Sequence, residues 1–314
     1  MREKIYQDGV NGRKIGYAWT TEKPKANVII VTGMAEKALR YDDFANFLTK
    51  NGYNVYCIDH YGQGETAGDV KNLGYVKKSF FSNSVKDIDN LVVRLRASLL
   101  PTYIFAHSMG SFMLQDYIQR FTEHVNKVVI CGTNGPNAKF LFGMGYFLTL
   151  LLCPQKKYDE AGTLLDKITF GGYNKRIKPL RTEKDWLSVN EENVDKYIAD
   201  PYCGFVPSKG FFREFLKGNN RLFKGKFLKK IRKDMSVLLV AGKEDPVGAY
   251  GKGPAALAKK YQKLGLTDVQ LKLYDGLRHE ILNEKEKDVV YNDILKFLDE
   301  PKEPAEAFLK AQVK

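Results

Sequence analysis

A chain of 314 residues with 44% hydrophobic content can bury one large core, or one core carrying a sizeable insertion, and is too apolar to be disordered. Its formal net charge of +13 is uneven, since residues 136–233 hold 20 Lys/Arg against 10 Asp/Glu. No nucleic-acid-binding motif and no stacking platform of aromatics accompanies that basic segment, so a nucleic-acid partner is not expected.

The first residues, MREKIYQDGV, contain no apolar signal-like run. EKIYQDG and GRKIGYAWT (residues 3–9 and 12–20) read as a hairpin turned by VNG, an antiparallel edge. Short apolar runs follow with helical patterns between them: NVIIVTG (27–33), NVYCID (54–59), TYIFAH (102–107), NKVVICG (126–132), SVLLVAG (236–242) and VQLKLYDG (269–276). Val/Ile/Leu runs without polar alternation are what strands buried on both faces look like. The intervening segments at 83–99, 111–121 and 252–265 are amphipathic. Alternating strand and helix predicts an α/β fold, a mostly parallel, doubly wound sheet with helices on both faces.

The rhythm breaks between residues 133 and 235. A connection of this kind normally takes only ~2–6 residues, so a largely helical insertion is expected, at the carboxyl end of a strand where open α/β sheets bind ligands. The predicted organisation is a core of residues 1–133 and 234–300, a cap or lid of 134–233, and a tail of 301–314. Within the cap, FLFGMGYFLTLLLC (140–153) is the longest apolar stretch. It is shorter than the roughly 20 residues a spanning helix needs, and suits a helix packed between cap and core, an acyl-pocket wall or a lipid contact. RLFKGKFLKKIRK (221–233) puts Phe223, Phe227 and Ile231 on one helical stripe among seven basic residues, the pattern of an interfacial helix against anionic lipid. The expected location is cytoplasmic, with peripheral membrane contact as the open question. Cys57, Cys131, Cys153 and Cys203 lie far apart, two of them in strand-like runs, which suits buried thiols in a reducing compartment rather than disulfides or a metal site.

The chemistry-bearing stretch is FAHSMGSF, residues 105–112, where a strand hands over to a helix. A serine at such an elbow needs small neighbours, supplied by Ala106 and Gly110, and has its hydroxyl presented to the site. Alone, Ser108 is equally a helix N-cap. A serine hydroxyl needs a histidine base and an acid to orient it. Of the four histidines, His279 in DGLRHEILNE follows the last strand, as the order Ser, Asp/Glu, His requires, whereas His124 precedes a strand. Asp245 in AGKEDP follows a strand and is preferred as the acid, with Glu244 adjacent and Asp275 four residues before the histidine as rivals. Gly33 lets the backbone approach the site, and the Met34 and Met109 amides are the candidate oxyanion donors. His60 and Asp59, in DHYGQG, read as structural.

Four segments together resemble one family, the α/β-hydrolases of the monoacylglycerol lipase and lysophospholipase type, grouped with the serine aminopeptidase-like hydrolases. They are TGMAEKALRY (32–41), DHYGQG (59–64), AHSMG (106–110) and GLRHEILNE (276–284), and the likeness runs from about residue 10 to 298. The resemblance implies an α/β-hydrolase fold and a triad of Ser108, Asp245 and His279. It further implies an oxyanion hole of the Met34 and Met109 amides, a loop braced by Glu36 and Arg40, and neither metal nor organic cofactor. Thr32 and Lys37 stand where the pattern has histidines, and Ala106 where it has glycine; these departures bear on loop geometry and substrate preference. The implied substrate is a small acyl ester such as monoacylglycerol or lysophospholipid. A short-chain carboxylesterase, a thioesterase or a peptidase is the alternative within the fold, and a non-catalytic ligand-binding protein is the alternative outside enzymes. The sequence does not define an oligomeric state.

Overall fold

A computed structural model describes residues 1–301; the remainder of the expected 301–314 tail lies outside the described residues. Strands β1 (Arg2–Gly9) and β2 (Gly12–Trp19) form the hairpin, with Gly9 opposite Gly12. β2 pairs antiparallel with β4 (Tyr53–Ile58), and from there the sheet is parallel. With β3 (Ala26–Val31), β5 (Thr102–His107), β6 (Lys127–Cys131), β7 (Ser236–Gly242) and β8 (Asp268–Tyr274), the strand order is β1-β2-β4-β3-β5-β6-β7-β8.

The expected alternation of strand and helix is present because the central strands are apolar on both sides. Val28, Ile30, Val55, Phe105, Val129 and Leu238 point to one face. Their neighbours Ile29, Val31, Ile104, Val128 and Val237 point to the other, as the two-residue period of a strand requires. The first face is covered by α1 (Asp42–Lys50) and α10 (Lys287–Asp299) through Phe44, Leu48, Ile294 and Phe297. The second is covered by α2 (Phe80–Leu95), α3 (Met109–Arg120) and α9 (Lys252–Lys263) through Val85, Ile88, Met113, Ile118 and Leu257. The helix expected over 83–99 starts three residues early, at Phe80, because Phe80 and Phe81 belong to the core. Helices α1 and α10 were not anticipated from the pattern.

Between β6 and β7 the chain runs through α4 (Lys139–Leu152), α5 (Thr163–Phe170), α6 (Glu191–Ala199), α7 (Lys209–Leu222) and α8 (Gly225–Leu228). Helix α4 lies against α7, with Gly145 facing Leu216 and Phe142 edge-on to Phe112 of α3 at 5.5 Å. Its outer side is uncovered: Phe140, Leu141, Phe147 and Leu151 are 61–75% exposed. The expectation of a helix packed between cap and core therefore holds for its inner side alone. No helix among the described residues is long and apolar enough to cross a membrane.

The interfacial helix expected over 221–233 is not formed. Helix α7 ends at Leu222, α8 has four residues, and Phe223 and Ile231 are buried in the core with Leu228. The stripe read as a lipid face is consumed by packing next to α3. Phe227 remains at the surface beneath the Arg221 guanidinium, 4.3 Å from its ring centre.

Candidate active site

Ser108 sits between the last residue of β5 and the first of α3, with φ 51° and ψ −119°. A side-chain-bearing residue held at positive φ costs about 1–3 kcal/mol and persists only where its surroundings over-determine it. They do so here. The Ser108 amide donates to the Cys131 carbonyl at 3.0 Å, and the Ser108 carbonyl accepts from the Ser111 amide at 2.9 Å. Gly110 is required by contact, since a Cβ there would lie 2.3 Å from the Val31 carbonyl oxygen. The elbow thus presses the first turn of α3 onto the end of β3 and leaves Ser108 partly open to a cavity.

His279, after β8, and Asp245, after β7, are both buried, and His279 Nδ1 lies 3.0 Å from Asp245 Oδ2. The second carboxylate oxygen accepts from the Val247 amide at 2.8 Å, which fixes the acid's orientation. The pair places the imidazole proton on Nδ1 and makes Nε2 the basic nitrogen. Neither rival acid shares this arrangement: Glu244 is exposed, and exposed Asp275 pairs with Lys243 at 2.7 Å. His124 faces Asp89, away from this site, and His60 is buried, its pKa lowered by burial to about 3.

The loop after β3 is held from several directions. The Gly33 amide donates to Glu36 Oε1, which also accepts from the Tyr41 hydroxyl at 2.8 Å. The Ala35 amide donates to Gln63 Oε1 at 2.6 Å, and Gln63 Nε2 returns a bond to the Gly33 carbonyl at 3.0 Å. Among the hydrogen bonds of the described residues, the Met34 amide between these two has no acceptor. Arg40 lies 3.6 Å from Glu36, bonds Glu280, and stacks on Tyr197, whose hydroxyl donates to the Ala35 carbonyl at 3.0 Å. Lys37 pairs with Asp200 at 2.5 Å, and the Thr32 hydroxyl is buried.

Ser108, Met109, Met34 and His279 line one cavity of about 670 Å³. Its apolar side is built by α3, α4 and α7, through Phe112, Phe142, Leu148 and Phe215. Its other end carries Tyr173, Trp186, Tyr197 and Glu280. The Trp186 ring stands 5.2 Å from that of His279. Sequence reasoning did not assign Gln63, Tyr197, Trp186 or Glu280. Gln63 and Glu280 lie inside the quoted motifs DHYGQG and GLRHEILNE, where a signal was available; Trp186 and Tyr197 carried none.

A strained serine elbow, a buried histidine–carboxylate pair and an eight-stranded, mostly parallel sheet define the α/β-hydrolase class. Within it, residues 22–286 match the family described as serine aminopeptidase, S33, and the chain belongs to that family. It is 28% identical to a monoacylglycerol lipase of Mycolicibacterium smegmatis, covering 92% of this chain and 94% of the relative. It is 22% identical to the monoglyceride lipase of Saccharomyces cerevisiae, over 94% and 93%. Among solved structures, a thermostable carboxyl esterase from Bacillus coagulans in complex with glycerol superposes with a TM-score of 0.85 at 26% identity, covering 95% of this chain and 98% of the esterase.

Proposed function

We propose that this protein is a serine esterase that cleaves single-chain acyl esters of the monoacylglycerol or lysophospholipid kind through an acyl-enzyme on Ser108. The observation that carries the reading is the buried His279–Asp245 pair on the cavity that Ser108 enters. In this mechanism Ser108 Oγ attacks the ester carbonyl while His279 Nε2 takes its proton, and Asp245 stabilises the imidazolium. The Met34 and Met109 amides receive the oxyanion, the second with the help of the α3 N-terminus. His279 then protonates the leaving alcohol, and water, deprotonated by the same nitrogen, releases the acid. The apolar wall of α3, α4 and α7 takes the acyl chain, and residues 134–233 act as the cap that encloses it. The monoacylglycerol and monoglyceride lipases among the relatives support the substrate class.

The outer face of α4 supports a second assignment, peripheral contact with an anionic membrane. Leu141, Met144 and Phe147 are exposed and also line the cavity. A lipid surface resting on α4 is therefore continuous with the route to Ser108, and the basic excess of residues 136–233 matches an anionic surface.

Hydrolysis of a chromogenic acyl-ester series, short to long, by wild type and Ser108→Ala tests the catalytic reading. The expected outcome is turnover favouring longer chains in wild type and a loss of about a millionfold in kcat in the variant. Equal rates in the two proteins, or saturable ester binding with no turnover in either, would overturn it.

A further inference from the structure

His107, the residue before the serine, is 5% exposed and was assigned no role by the catalytic mechanism. Its two ring nitrogens meet two different loops of the site. Nε2 lies 3.2 Å from the backbone carbonyl oxygen of His279, and Nδ1 lies 3.6 Å from Glu36 Oε1. Both neighbours are acceptors. A neutral ring with its proton on Nε2 satisfies the carbonyl but turns a lone pair toward the carboxylate, and the opposite tautomer leaves two lone pairs facing each other at the carbonyl. Only the imidazolium, with a proton on each nitrogen, suits both.

We propose that His107 is a positioning residue, an imidazolium that ties the His279 backbone to Glu36 and so holds the catalytic base in register with the oxyanion loop. Glu36 carries the constraint onward, because the same Oε1 accepts from the Gly33 amide, next to Met34. The ring centres of His107 and His279 are 4.7 Å apart, and Gly132 is wedged against both: a Cβ there would lie 3.0 Å from His279 Cε1 and 3.2 Å from His107 Nε2. The base, the nucleophile and the loop that presents an oxyanion donor thus share one side chain, which adjoins the serine covalently.

The charged and titratable groups around the ring are Glu36, Arg40 and Tyr41 from the oxyanion loop, His279 and Glu280 from the histidine loop, and Cys131 from β6. Burial opposes charge on His107, but Glu36 and, at longer range, Glu280 outweigh it, and the pKa lies above the ordinary 6.5. Arg40 is bound to both of those glutamates. The tie is therefore fully present below the ordinary value of 6.5 and is released as pH rises through the raised one.

The inference rests on the serine-hydrolase reading, and the two are tested by different signals. His107→Gln keeps an amide donor for the His279 carbonyl and removes the charge. The expected result is a kcat lower by roughly ten- to a hundredfold, as a small misplacement of reacting groups gives. KM is expected to change little, the alkaline fall in kcat expected of wild type to be absent, and a fluorophosphonate still to label Ser108. A His107→Gln enzyme with the wild-type kcat and the wild-type alkaline limb would overturn the proposal. Histidine-selective carbon-13 NMR of the wild type and Glu36→Gln gives a reading that does not need the first variant to fold. One of the four histidines is expected to titrate above 6.5 in wild type and to move down when Glu36 loses its charge. Absence of any histidine titrating above that value contradicts the tie.

Discussion

Glu36 shows how much one side chain holds at this site. Burial raises its carboxyl pKa, but His107, Arg40 and the Tyr41 hydroxyl outweigh burial and bring it from 4.5 to about 2. A carboxylate whose folded pKa is depressed contributes stability that is fully present above its unfolded value and is lost as pH falls through the folded one. The window here is from 4.5 down to about 2, and the contribution is at most ~3 kcal/mol. Urea unfolding as a function of pH is expected to show wild type losing stability more steeply than Glu36→Gln in that window; parallel curves would contradict the assignment. Glu36 itself was legible as part of TGMAEKALRY, as were Ser108 and His279 in their motifs. Gln63 lay inside DHYGQG, but Tyr197 was not legible, because its work is done on the backbone carbonyl of Ala35, which only the folded loop brings within reach.

At the scale of elements, the strands were readable because burial on both faces leaves an unbroken Val/Ile/Leu run that little else explains. The helices between β6 and β7 were not, since the side a helix turns inward depends on what it meets. In 221–233 the apolar stripe was real, but α3 and its surroundings claimed Phe223, Leu228 and Ile231. In α4 the reverse occurred: its run suited a packed helix, a pocket wall or a lipid contact alike, and Phe140, Leu141, Phe147 and Leu151 stand free on its outer side. Phe140 and Leu151 are exposed and do not line the cavity at Ser108, so changing them tests the proposed membrane contact apart from catalysis. Fully burying such a side chain is worth about 1.5–3 kcal/mol, so the double variant Phe140→Ser/Leu151→Ser is expected to lower retention on anionic vesicles at low salt roughly tenfold or more. Hydrolysis of a short water-soluble ester is expected to stay unchanged. Equal sedimentation of the two proteins, or no retention of wild type, would contradict docking through α4.

At the scale of the whole molecule, the sheet brings together residues 34, 108, 245 and 279 because each follows a different strand at the same edge. The order of those strands is what the motif spacing reflected, and it is why the class of fold could be read before the site was seen. Much of the cavity's wall comes from α4 and α7, in the long insertion between β6 and β7 whose path no periodicity encodes, so the cavity was visible only in three dimensions. The proposed chemistry requires Ser108 to be the activated nucleophile. Reaction of the folded protein with a fluorophosphonate, followed by peptide mapping by mass spectrometry, tests that directly. The expected result is a single adduct on Ser108, absent in Ser108→Ala and formed far more slowly in His279→Ala. An adduct on another residue, or equal labelling of wild type and Ser108→Ala, would contradict it.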